Sequence, residues 1–119
     1  MPVGSAGSGK SASQKFPIDK GAIFNTVVAV NTNFFATDIA PTNSPTTFRI
    51  SVALDADGVL NVMRTEGGVT VTEQLNENSN LLADCLYEFN VTVLTGQTIN
   101  LQHSIGGTIL SCIVVEIYG

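Results

Sequence analysis

Charge is what this chain has least of. Asp, Glu, Lys and Arg make up 13% of its 119 residues, about half the roughly 25% of an ordinary globular domain. Tryptophan is absent, tyrosine occurs twice and histidine once. With only Tyr87 and Tyr118 to offer, no sheet face carries the aromatic platform of a carbohydrate-binding module. The two cysteines, Cys85 and Cys112, are too few and too far apart for a disulfide framework or a zinc motif. They read as free thiols in or near the core, with a single bridge as the alternative. No apolar run approaches the roughly 18 residues of a membrane-spanning helix, and we expect no membrane partner. The opening MPVGSAGSGKS lacks the apolar segment of a secretion leader, so synthesis and assembly in a cytoplasm are expected. A surface this poor in charge does little to keep copies apart, which points to an oligomer or lattice subunit.

What replaces the charge is Thr and Asn, with Val prominent. These residues suit pleated, half-covered surfaces and turns better than amphipathic helices. The charge that is present is unevenly placed. Lys10, Lys15 and Lys20 all lie in the first twenty residues, which sum to +2 after Asp19, while the rest sums to −7. A mildly basic arm thus precedes an acidic body, and an acidic body is a poor match for nucleic acid.

The stretch Leu86–Tyr118 sets the fold class. Tyr87, Phe89, Val91 and Val93 alternate with Glu88, Asn90 and Thr92, and Ile99, Leu101 and His103 alternate with polar neighbours. That period of two belongs to half-buried strands. Thr108–Tyr118 is apolar at both parities, so we expect cover on both faces, from a facing sheet and from another subunit. Upstream, Phe48, Ile50, Val52 and Leu54 face inward against Arg49, Ser51 and Ala53. Asp55-Ala56-Asp57-Gly58 and Glu66-Gly67-Gly68 read as hairpin turns, linking runs at Val59–Thr65 and Val69–Leu75. Asn76–Asn80 is the expected change of sheet. Ala22–Val30 and, more weakly, Phe34–Ile39 are further strand candidates, separated from Phe48 by the proline-bearing loop Pro41–Thr47. Regular short strands with glycine turns predict an all-β, two-sheet antiparallel β-sandwich of about eight strands over 21–119, jelly-roll-like, with a meandering barrel as the alternative. Residues 1–20 carry no apolar periodicity and form an extended N-terminal arm, whose full reach would be on the order of 65 Å.

Several motifs fit by letters only. Gly4–Ser11 matches G-x-x-x-x-G-K-[ST], but no strand delivers it and Pro17 blocks a following helix. Asp55-x-Asp57-Gly58 opens like a calcium loop, yet a hairpin explains it and flanking helices are missing. His103 and Ser104 are adjacent in a strand, so their side chains diverge, and Cys85, His103 and Cys112 lack zinc spacing. Asn90-Val91-Thr92 is a glycosylation sequon inside a strand. We expect no enzymatic activity and no cofactor. Phe16, Phe34 and Phe35 lie outside the alternation; Phe34 and Phe35 either close one end of the sandwich or anchor a neighbour.

Residues 48–118, with FRISVALDADGVLNVM and LYEFNVTVLTGQTINLQ, resemble small β-sandwich structural proteins of viruses: capsid decoration (cement) proteins and related virion subunits. The resemblance implies a homo-oligomer, a trimer first, located in the virion, whose arm laces onto a major capsid or neighbouring shell protein. Lys10, Lys15, Phe16, Lys20, Phe34 and Phe35 are then the expected assembly residues. A self-assembling extracellular filament, with the arm adding a strand to the next subunit, and a ligand-binding module are the alternatives.

Overall fold

A computed structural model describes residues 17–118, and they form an all-β, two-sheet antiparallel sandwich. The strands are β1 (Pro17–Val28), β2 (Thr46–Leu54), β3 (Leu60–Glu66), β4 (Val69–Gln74), β5 (Tyr87–Val93), β6 (Gln97–His103) and β7 (Gly107–Tyr118). One sheet has the order β1-β7-β2-β5 and the other β4-β3-β6. The place of an eighth strand is taken by irregular chain running along β6. There the Asn31, Phe34 and Ile39 amides donate to the carbonyls of His103, Leu101 and Ile99. Strand β1 therefore pairs with β7, the irregular segment with β6, β2 with β5 and β3 with β4. This nested pairing is one long hairpin rolled over on itself, which is a jelly roll.

The nesting corrects the expected turns. Only Gly67-Gly68 makes a hairpin: Glu66 pairs with Val69 across it, and both glycines take the positive φ of a type I′ turn. Asp55–Gly58 does not return β2 on itself but carries the chain to the other sheet, as do the links after β4, β5 and β6. The change of sheet expected at Asn76–Asn80 is there. Phe34–Ile39 makes a single bridge, Ile39 to Ile99, not a strand.

The core follows the alternation where it was clearest. Phe48, Ile50, Val52 and Leu54 of β2, Leu60 and Val62 of β3 and Ile99 and Leu101 of β6 are all buried. In β7 a bulge opposite Ala53–Leu54 shifts the register, so Ile109 faces in, then Cys112, Val114 and Glu116. The opposite parity, Ile113, Val115 and Ile117, is half-buried on the outer face. There Ile113 pairs with Ala22 and Ser111 with Phe24, and Phe24 is exposed.

Beta1 opens at Pro17, four residues earlier than the boundary read from the sequence. Its first half pairs with the last residues of β7, Pro17 with Ile117 and Ile18 with Glu116. Residues 17–20 are therefore part of the sandwich, and 1–16 lie outside the described residues.

Candidate functional site

The sandwich has two ends of different chemistry. At the end where β1 begins, Glu116 sits on the inner face of β7 and is fully buried. A buried carboxylate persists only if it is paired and hydrogen-bonded. Here the Thr42 and Asn43 amides donate to it at 2.7 and 2.8 Å, and Asn43 Nδ2 adds a third bond at 3.2 Å. Lys20 Nζ lies 3.3 Å away and also donates to Thr42 Oγ1 at 2.7 Å. Lys20 reaches inward because it is the extra residue of a bulge between Asp19 and Gly21. Desolvation pushes the Glu116 carboxyl up, but the two amides and the Lys20 ammonium outweigh it and hold it below the usual carboxylate range. The cluster fastens the start of β1 to the last strand and to the loop before β2. It fixes the point from which residues 1–16 depart.

Arg64 closes the same end of the sandwich. It makes a bidentate pair with Glu73 at 2.6 and 3.0 Å, and donates to the Thr92 carbonyl and to Gln97 Oε1. One side chain thereby ties β3 to β4, β5 and the start of β6.

The far end gathers four connections: Val28–Asn31, Asp55–Gly58, Leu81–Leu86 and Ser104–Gly107. They are stitched together by local bonds. Gly58 and Leu81 exchange both backbone bonds at 3.0 and 2.7 Å, and Asp57 Oδ1 accepts from the Ala83 amide at 2.7 Å. Asp55 Oδ1 accepts from the Thr108 amide at 2.8 Å. Gly106 has φ +78°, and a Cβ there would fall 2.8 Å from the Val28 carbonyl oxygen, so only glycine lets the two links pack. Around this frame Val30, Leu82, Leu86 and Ile105 are exposed, Leu86 to 71%. Asp55, Asp57 and Asp84 are exposed beside them. No cation lies in these four links. The described cations are Lys20, Arg49 and Arg64, and each has an acid partner elsewhere: Glu116, Glu88 and Glu73.

His103 lies beneath this end and is fully buried. Its Nδ1 accepts from the Gly106 amide at 3.1 Å, so the neutral ring carries its proton on Nε2, which has no partner among the described residues. Burial pushes its pKa down. Gly58 presses on the ring, since a Cβ on it would come within 2.6 Å of the His103 Nε2 and Cε1. This is the core histidine expected from the alternation, at one end of the sandwich.

Of the expected assembly residues, Lys10, Lys15 and Phe16 lie outside the described residues. Lys20 is committed to Glu116. Phe34 belongs to the core, and Phe35 is half-buried against Gly21 of β1, which assigns both rings to the domain's own packing. The reason is Asn100, at 1% exposure. Its side chain bonds both the amide and the carbonyl of Phe35, at 3.0 and 2.8 Å, and Asp38 Oδ1, drawing that segment onto β6. The alternation placed Asn100 outward; an amide completing a ladder that the neighbouring chain leaves irregular gives no signal in the pattern. Cys85 is exposed and Cys112 buried, both as free thiols. Among the described residues no cluster of His, Cys, Asp and Glu is placed to hold a metal ion.

No protein-family model matches the chain, and no curated protein matches it in sequence.

Proposed function

We propose that this chain is a non-enzymatic structural subunit of a virion, a capsid decoration, cement or minor capsid protein. It oligomerises, as a trimer in the simplest case, and fastens to a major capsid or neighbouring shell protein through residues 1–16. The observation that carries this reading is the Lys20–Glu116 cluster. A buried ion pair with three further donors is an expensive device, and here it secures the base of a segment that has no apolar periodicity of its own. The base of the arm is therefore held, and in this reading the arm itself serves another molecule. The charge-poor composition and the exposed apolar residues at the far end fit a surface that is covered in use.

The test is removal of residues 1–16. The truncated chain should keep its thermal midpoint within a few degrees and lose assembly, as seen by electron microscopy and sedimentation. Replacing Lys10 and Lys15 with Gln should weaken assembly chiefly at low ionic strength, where exposed charges act over the longest range. Normal particles from the truncated chain would refute the proposal.

A further inference from the structure

We infer that the far end of the sandwich, around Leu86, Ile105 and Asp84, is the socket for the N-terminal arm of a second copy of this chain. The inference rests on the reading of residues 1–16 as the attaching segment and adds the surface that receives them. That surface pairs exposed apolar side chains, Val30, Leu82, Leu86 and Ile105, with three exposed aspartates. Residues 1–16 offer the complement: Lys10 and Lys15, no acid, and Met1, Val3 and Phe16 as apolar side chains. Of the other exposed apolar residues, Val69 and Val71 lie by the Arg64–Glu73 ion pair, where a lysine meets less net negative charge, and Phe24, Val27 and Leu94 are not in the four links that carry the three aspartates.

The reach of the two lysines points to an arm from another copy. Beta1 spans twelve residues, so Pro17 and Val28 stand roughly 36 Å apart at about 3.3 Å per residue. Val28 is at the far end, paired with Gly107. Lys10 is seven residues before Pro17, which allows its backbone about 25 Å of extended chain at most. Lys15 has much less. Lys15 falls far short of the aspartates of its own domain and Lys10 could approach them only with chain and side chain fully extended, whereas both reach those of a copy placed end to end with it. The resulting contact is heterologous, one surface meeting a different one, and it builds a ring where the rotation closes and a filament where it does not. A closed ring of three is the trimer proposed above.

Two full-length variants test it. Lys10→Glu with Lys15→Glu spoils the arm, and Leu86→Lys with Ile105→Lys spoils the socket. Both targets in the socket are exposed, and Leu82→Lys replaces Ile105→Lys if the contact of Ile105 with Gly58 proves necessary for folding. Circular dichroism and the thermal midpoint check that each variant is folded. In sedimentation the unaltered chain should associate, and each variant alone should associate at least about tenfold more weakly, the scale of losing an anchoring side chain. Mixed, the two variants should form an equimolar complex that grows no further, because one intact arm meets one intact socket. An unaltered chain that stays monomeric overturns the inference. So does a socket variant that associates like the unaltered chain, or a mixture that gives no complex. If deleting 1–16 abolishes attachment while the socket variant attaches normally, this inference fails and the role of the arm stands. If the deletion has no effect, the role of the arm fails.

Discussion

Replacing Glu116 by Gln should destabilise the domain more than its near-identical shape suggests. The carboxylate accepts from two backbone amides, from Asn43 Nδ2 and from Lys20. A glutamine keeps one accepting oxygen and puts a donating NH₂ in place of the other. That group must face one of the amides, so at least one buried donor is left unpaired, at about 1–3 kcal/mol. The charge-assisted part of the remaining bonds is lost as well, which brings the expected cost to roughly 2–4 kcal/mol. At about 4–8 °C per kcal/mol for a domain of this size, the thermal midpoint should fall by roughly 8–30 °C. The pH dependence separates this mechanism from general damage. Glu116 titrates below its ordinary 4.5 in the folded state, so between the two values the unfolded chain binds more protons. Its contribution is complete above 4.5 and is lost as pH falls through the folded value. Urea unfolding across that range should show the gap between Glu116→Gln and the unaltered protein narrowing as pH drops. A cost under about 0.5 kcal/mol at neutral pH, or pH profiles that stay parallel, would refute the argument.

Leu101 is fully buried, and Leu101→Ala should cost roughly 2–5 kcal/mol in urea unfolding; a cost under about 0.5 kcal/mol would mean that β6 faces the other way. His103 titrates below its ordinary 6.5 because burial disfavours the charged ring. Its contribution to stability is complete above 6.5 and declines as pH falls below it; His103→Leu should flatten that part of the profile, and a superimposable profile would discount the buried ring. The Cys112 thiol is pushed up to about 12 by burial, whereas Cys85 is exposed. A thiol reagent should therefore label Cys85 alone in the native protein and both in denaturant, and labelling of Cys112 in the native state would contradict its placement.

The elements legible in the sequence are those in which the alternation is carried by large apolar side chains. Phe48–Leu54 and Ile99–His103 needed nothing but their period, because both strands lie over the core along most of their length. Pro17–Lys20 was illegible because it belongs to an edge strand whose inward positions are Ile18, a bulged lysine and Gly21, none of which looks like a core run. The turn Asp55–Gly58 misled for a different reason. Asp-Gly favours a tight reversal, but both aspartates spend their side chains on backbones elsewhere, those of Ala83 in another link and Thr108 at the start of β7. Turn chemistry names the residue types and leaves open which sheet the chain enters next. Nothing local marks Glu116 as buried: its inward parity is set by the bulge of β7 opposite Ala53–Leu54, and its partners Lys20, Thr42 and Asn43 come from segments far away in sequence. The exposed apolar residues of the far end were equally hidden, since Leu82, Leu86 and Ile105 come to one end of the sandwich only through the nested wiring.

That wiring also sets the order in which the domain can form. Glu66 and Val69 meet across two residues, so β3 and β4 can pair as soon as they exist. Pro17 must wait for Ile117, and β7 lies between β1 and β2. Until the final strand arrives, β1 has no neighbour to pair with and the central gap of its sheet stays open. Closing loops that span nearly the whole chain is entropically slow. A nascent chain on the ribosome would thus expose unpaired strand edges until β7 has emerged, and a chain cut before β7 would be unable to close its sheet.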